Sequence, residues 1–310
     1  MNHAYIPVLC IPQHDNPRAG QLLQLLTQQL RVEGIGARVI KSQRGSQEHA
    51  GFVAEVFDRA LQSDLLIIKG FFKQAGGALV FAATDPKQAQ TCRSQLRFDC
   101  CSEDKVQACA ERIIAWLMSC LHKVPVWGCI LIGGKSSRMG SPKHLLAADD
   151  GKTWLQRSIS VLDPEVASVV ISGAGNIPKT LTSYKRIADI PGVAGPLSGI
   201  ASAMRYNPVV SWLLLACDMP GISTEAINWL LKQRKPGRIA IIPKNPGSGM
   251  SEPLFAWYDF RCSSHIQTLL SSGERRITQV RRMTGVYEPQ IPANLHYAWQ
   301  NINRPEERRE

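Results

Sequence analysis

Short apolar runs alternate with longer stretches of helical periodicity along most of this chain, and that alternation leaves few folds open. Ile6–Ile11, Ala37–Ile40, Leu65–Ile68 and Ala78–Ala83 have the length and composition of buried strands. Between and after them, Leu22, Leu23, Leu25, Leu26 and Leu30, then Phe52, Val53, Val56, Phe57, Ala60 and Leu61, are spaced as helix faces. Val106, Ala110, Ile113, Ile114, Leu117, Met118 and Leu121 mark a long amphipathic helix. Strands alternating with helices fold as a mostly parallel sheet flanked by helices. Pro125 ends that helix, and the pattern then restarts. Further strands are expected at 126–132, 168–172, 211–217, 238–242 and 253–258, with helices at 154–162, 196–205, 224–233 and 262–270. The chain of 310 residues therefore reads as two α/β domains, 1–122 and 123–310.

Composition removes several classes of function. No apolar run reaches the roughly 18 residues of a membrane-spanning helix. The opening MNHAYIPVLCIPQHDN has no cationic leader followed by a long apolar core, so no secretory signal and no membrane partner are expected. Nine cysteines, an odd number that includes adjacent Cys100 and Cys101, suit reduced thiols and a cytoplasmic location. Cys92, Cys100, Cys101 and Cys109 cluster without a CxxC pair, which argues against a structural zinc site, and Cys109 and Cys120 read as small packing residues. The net charge of +11 favours anionic partners. The basic residues are dispersed beyond Arg275-Arg276, Arg281-Arg282 and a basic tail, and no nucleic-acid-binding signature is present, so nucleic acid is not an expected partner.

Three stretches of the second half carry chemistry. In Cys129-Ile-Leu-Ile-Gly-Gly-Lys-Ser-Ser-Arg-Met-Gly-Ser-Pro-Lys143 an apolar strand runs into Gly133-Gly134 and a loop holding Lys135, Arg138 and Lys143. Glycines let backbone approach a ligand closely, and successive N–H groups in such a turn form an anion-binding hollow. Arg138 can grip phosphate oxygens as a fork and Lys143 can supply a point charge. The spacing is neither GxxxxGK[ST] nor GxGxxG, and a tight turn with surface lysines fits these residues as well. The second stretch, Ala216-Cys217-Asp218-Met219-Pro220, ends the apolar strand. A carboxylate there can ligate Mg²⁺ or simply form a strand-end turn. The third, Asp189-Ile-Pro-Gly-Val-Ala-Gly195-Pro-Leu-Ser-Gly-Ile200, joins a loop to a helix that starts with proline. That helix N-terminus can face an anion, and Asp189 can accept hydrogen bonds from a base or ribose or act as a turn former. His144, directly after Lys143, reads as a helix start and not as a ligand.

In this order the motifs resemble the molybdenum cofactor guanylyltransferases, small nucleotidyltransferases with a Rossmann-like fold. The family pattern LAGGxSxRMGxxK is met as LIGGKSSRMGSPK, with Ile132 in place of Ala; GPLxGI is met as GPLSGI and CDxP as CDMP. SEPLFAWY, SGERRI and NINRPEE add later matches, so the resemblance runs from Val126 to Glu307. It implies transfer of GMP from GTP to the phosphate of molybdopterin, with pyrophosphate released and Mg²⁺ as cofactor. Leu131, Gly133, Gly134, Ser172, Asp189, Lys143 and Asp218 would bind the nucleotide. Asp218 would hold the metal, and Arg138, Lys143 and Asp218 would carry catalysis. Asn301 and Asn303 would lie on the molybdopterin side. Molybdoenzymes or their chaperones are implied as further partners. Gly-Gly and GPLSGI favour GTP over CTP. A cytidylyl- or sugar-phosphate nucleotidyltransferase, or a non-catalytic cofactor-binding chaperone for molybdoenzymes, is the competing reading.

The first half is similar to the small P-loop adaptor protein of molybdopterin-guanine dinucleotide synthesis. Its loop, however, reads PQHDNPRAG, without the Lys and Ser/Thr that hold phosphate and Mg²⁺, and Lys69 replaces the acidic residue at a later strand end. A degenerate P-loop-like α/β domain that binds GTP poorly, and that serves as a docking surface, is expected.

Overall fold

The computed structural model describes residues 7–11, 17–41, 64–69, 79–83, 96–99, 102–133, 142–148 and 150–302. The expected helix around Phe52–Leu61, the thiols Cys92, Cys100 and Cys101, and the site candidates Gly134, Arg138 and Asn303 lie outside the described residues. The chain divides into two compact units, 1–124 and 125–310, residues 235–237 grouping with the first.

The first unit holds β1 (Val8–Ile11), α1 (Pro17–Val32), β2 (Ala37–Lys41), β3 (Leu65–Lys69), β4 (Leu79–Ala83), β5 (Leu96–Asp99) and α2 (Glu103–Lys123). Its strands lie in the order β2-β3-β1-β4-β5, every pair parallel. Leu22, Leu26 and Leu30 of α1 and Val106, Ala110, Ile113 and Leu117 of α2 share one core with Leu9, Ile11, Leu65 and Ile67 of the sheet. Side chains three and four apart share a helix face, which explains why this leucine spacing buries one side of α1 and leaves the other wet. Asp64 Oδ2 accepts from Gly36 N at 2.7 Å and ties the start of β3 to the start of β2. β5 was not foreseen: Leu-Arg-Phe-Asp is too short and too polar for a buried-strand pattern. Cys109 is a correction. Expected as a reduced packing thiol, it is buried in this core as expected, but it is disulfide-bonded and not reduced. Helical spacing places a thiol on a face but says nothing of a cysteine brought there by another segment. Cys10, Cys120, Cys129, Cys217 and Cys262 are free thiols.

The second unit contains β6 (Val126–Leu131), α3 (Trp154–Leu162), β7 (Ser168–Ser172), β8 (Lys185–Ile187), α4 (Pro196–Tyr206), β9 (Ser211–Ala216), α5 (Thr224–Lys232), β10 (Ala240–Ile241), β11 (Phe255–Tyr258), α6 (Cys262–Ser271) and β12 (Val286–Tyr287). The sheet order is β12-β10-β11-β9-β6-β7-β8. Only β11 runs against its neighbours β9 and β10, so this sheet is mixed but mostly parallel. Residues 242–254, which connect β10 to β11, contain no helix, so this pair is joined without the crossover helix typical of a parallel pair. Alternate residues of β9 serve opposite faces: Leu213 and Leu215 join a core with Ile159, Leu162, Ile227 and Leu230, while Trp212 and Leu214 join Leu197, Ile200 and Ile266. A sheet covered on both faces accounts for the unbroken apolar run Trp-Leu-Leu-Leu-Ala. Thr153 and Gln156 form a reciprocal capping box at α3, and Ser223 caps α5 by accepting from Ala226 N at 3.2 Å. No helix among the described residues is long and apolar enough to cross a membrane.

Candidate active site

From β6 the chain moves through β7 to β8 on one side, then returns to add β9 on the other. Where such a reversal occurs, the loops leaving the carboxyl ends diverge and open a crevice for ligands. A pocket of about 300 Å³ lies there, at the low end of the size range of small-molecule clefts. Its walls include Leu131 at the end of β6, Ser172 at the end of β7, Ala216 at the end of β9 with Cys217 and Asp218 after it, and Gly195, Pro196 and Gly199 at the start of α4. Gly133, Lys143, Asp189, Ile132 and Leu254 complete it.

The backbone that holds these side chains is knitted across the strand ends. Ile132 N donates to Ser172 O at 2.8 Å, Cys217 N to Leu131 O at 3.2 Å and Ala216 N to Leu254 O at 2.8 Å. Gly173 adopts φ +115°, and a Cβ there would collide with the Ile132 carbonyl oxygen, so only glycine fits where the chain leaves β7. Arg186 Nη2 donates to Gly173 O at 2.8 Å and closes the same corner from β8. At Gly199 the constraint is packing: a Cβ would overlap Leu131 Cδ2 and stand 3.2 Å from Ser172 Oγ, so α4 can approach β6 and β7 closely only without one. Pro196 begins α4, with its missing N–H at a position that has no intrahelical partner in any case.

Among the described residues the polar groups of the pocket are few. Lys143 Nζ donates to Asp218 Oδ2 at 2.8 Å, and both side chains are mostly withdrawn from water. Asp218 Oδ1 is buried and has no hydrogen-bond partner among the described residues; Ser172 Oγ is in the same condition. A buried carboxylate oxygen left unpaired is costly, and a cation or a ligand donor would offset that cost. Asp189 lies at the rim, and partial removal from water raises its carboxyl above the ordinary carboxylate value. Its loop is pinned where Ser198 Oγ accepts from Ile190 N at 2.8 Å. Cys217, beside Asp218, is pushed up to about 12, first by burial and then by the neighbouring carboxylate, and Lys143 offsets only part of this. It is an inert thiol.

Among the expected site residues, the structure brings Leu131, Gly133, Lys143, Ser172, Asp189 and Asp218 to one pocket. Asn301 is exposed and outside the lining, yet the next residue joins it to the site, since Ile302 N donates to Asp218 O at 3.0 Å. Leu254, Cys217 and Ser198 were not singled out beforehand. Each nevertheless had a visible signal, its place inside SEPLFAWY, CDMP and GPLSGI respectively. Among the described residues no three His, Cys, Asp or Glu side chains converge as an all-protein metal cage.

An open α/β sheet whose switch-point pocket combines glycine turns, a lysine and a half-satisfied carboxylate is built to receive an anionic ligand. Comparison with known proteins narrows this class. The family model of the MobA-like NTP transferase domain matches residues 128–286, just over half of the chain. A Bacillus cereus (strain AH187) protein named "Probable molybdenum cofactor guanylyltransferase" is 32% identical over 188 residues, spanning 58% of this chain and 92% of that one. A Bacillus mycoides (strain KBAB4) protein of the same name is 29% identical over the same spans. The crystal structure of molybdopterin-guanine dinucleotide biosynthesis protein A from Archaeoglobus fulgidus shares the fold, with a TM-score of 0.50, 24% identity, and coverage of 58% of this chain and 93% of that one. The chain belongs to the MobA-like NTP transferase family, and is a nucleotidyltransferase.

Proposed function

We propose that the second unit transfers GMP from GTP to molybdopterin, releasing pyrophosphate and forming the guanine dinucleotide. The observation that carries this reading is Asp218 at the exit of β9: one carboxylate oxygen on Lys143, the other buried and without a hydrogen-bond partner among the described residues, in a pocket lined by Leu131, Gly133, Ser172 and Asp189. That donor set fits Mg²⁺, which favours one or two carboxylates supplemented by substrate phosphates over a dedicated protein cage. Asp218 would hold the ion, which when bound supplies positive charge against the departing pyrophosphate.

The remaining chemistry falls to the chain itself. The attacking group is a phosphate oxygen, already anionic, so no strong general base is needed. The barrier lies in bringing two anions together and in stabilising charge on the leaving group. Lys143 and, from sequence, Arg138 offer cationic donors for that charge, and the glycine pair Gly133-Gly134, again from sequence, offers backbone N–H groups. Asp189 is suited to orient the base or ribose from the rim, and the family resemblance assigns Asn301 and Asn303 to the molybdopterin side. The relatives named as molybdenum cofactor guanylyltransferases support the guanine and molybdopterin assignments. Competing GTP against CTP in a pyrophosphate-release assay with molybdopterin tests the reading. GTP-dependent release is expected, and preferential use of CTP would overturn the guanine assignment.

For the first unit we propose a P-loop-like domain that has lost phosphate binding and serves as a docking surface for the transferase or for molybdoenzymes and their chaperones. Support comes from its all-parallel five-stranded sheet and from a loop after β1 that lacks lysine, serine and threonine.

A further inference from the structure

We propose that His144 is a positioning residue for the nucleotide pocket, locking the turn that carries Lys143 to the loop that leaves Ser172. The inference rests on the reading of this pocket as the nucleotide site and adds a residue to it.

His144 is the middle residue of a single 3-10 turn, Lys143–Leu145, and is only 2% exposed. A histidine buried beside a lysine needs a reason to be there. Its Nε2 lies 2.8 Å from Asn176 O. A carbonyl oxygen can only accept, so Nε2 carries the hydrogen and donates. The ring also lies against the backbone of Gly175, where a Cβ would stand 3.2 Å from Cε1 and 3.5 Å from Nε2; Gly175 has φ +124°. The segment Gly173–Asn176 thus accepts both a hydrogen bond and a packing contact from one imidazole. The same segment begins directly after Ser172 and reaches the glycine turn, where a Cβ on Gly133 would be 3.6 Å from Ala174 O.

One side chain therefore ties the lysine turn to the segment that leaves β7, and that segment in turn lies against the exit of β6. A turn of three residues has little rigidity of its own, since it closes on single bonds from Leu145 N to Pro142 O and from Leu146 N to Lys143 O. Without the imidazole, the Lys143 main chain would be free to shift relative to Asp218. Misplacement of a charged donor by about 1 Å can cost on the order of a hundredfold in catalysis. A leucine at 144 would fill the space but leave Asn176 O without its donor. A glutamine would carry an N–H to nearly the same point.

The test is titration of the full-length protein with GTP in excess Mg²⁺, by calorimetry, for wild type, His144→Leu, His144→Gln and Leu230→Ala. Leu230 is fully buried on the α5 side and is absent from the pocket lining, so its truncation controls for lost stability alone. The expected results are a Kd raised about tenfold or more in His144→Leu, a return to within about threefold of wild type in His144→Gln, and an unchanged Kd in Leu230→Ala. Wild-type binding that His144→Leu leaves unaltered, or that His144→Gln fails to rescue, overturns the role of His144. A wild-type protein that binds no Mg²⁺–GTP overturns the reading of the pocket, and this inference with it.

Discussion

At the scale of single residues the account turns on carboxyl groups in the pocket that are partly shielded from water. Asp189 illustrates the sign of the effect. Its carboxyl is raised by desolvation, so the folded chain holds that proton more tightly than the unfolded chain does. The stability linked to Asp189 is therefore present at low pH and lost as pH rises from the ordinary carboxylate value through the raised one. Nucleotide binding that requires the carboxylate runs the other way and weakens as pH falls through the raised value. Asp189→Asn is expected to melt higher than wild type at pH 7, with the gap closing at pH 3, while Mg²⁺–GTP binding at pH 7 weakens. Thermal melts at both pH values and a titration check this; a gap that widens at low pH would contradict the assigned cause. Gly173 makes a second case. Alanine there meets both φ +115° and the Ile132 carbonyl, and Gly173→Ala should cost about 3 kcal/mol in denaturant unfolding. A loss below about 0.5 kcal/mol would show that the corner relaxes freely.

At the scale of elements, the places where strands end matter more than the strands themselves. α4 sits close on β6 and β7 because Gly199 presents no side chain to Leu131 and Ser172. Gly199→Ala would drive Leu131 into the pocket it lines. The expected outcome is Mg²⁺–GTP binding weakened about tenfold with a stability change under about 1.5 kcal/mol, because Leu131 can yield by rotating. Equal binding by wild type and variant would show that the close approach serves packing alone. Most elements were legible in the chain because an apolar run bounded by Gly or Pro, or a leucine face at helical spacing, reports burial directly. The α3 span expected at 154–162 matches the structure end to end, since a capping box at Thr153 fixes its start. What escaped was short and at the margins. Lys-Arg-Ile of β8 and Val-Tyr of β12 are two or three residues long and mostly exposed, which leaves too little burial to form a pattern. The reversed direction of β11 also left no trace, because alternation signals a strand without its orientation.

At the scale of the whole molecule, the two units differ in how much chemistry they show. The motifs that bring Leu131, Gly133, Lys143, Ser172, Asp189 and Asp218 into one pocket were readable because each falls at a strand exit or helix start, where local sequence and ligand geometry coincide. The hydrogen bond from Ile302 N to Asp218 O, and the grip of His144 on Asn176, join residues 84 and 32 positions apart and could be found only in three dimensions. Expressed separately, residues 123–310 are expected to unfold cooperatively and to bind Mg²⁺–GTP with the full-length Kd, while 1–122 binds none measurably. Tight GTP binding by 1–122 would refute the proposed loss of phosphate binding in the first unit.

The most direct test of the central claim is pyrophosphate release by the full-length protein supplied with GTP, Mg²⁺ and molybdopterin, compared with its Asp218→Asn variant. This substitution keeps the shape and removes the charge. The account predicts turnover lowered by about a hundredfold or more, with the protein still folded at the assay temperature. Near-normal release by Asp218→Asn would contradict the claim that this carboxylate holds the metal beside the nucleotide's phosphates.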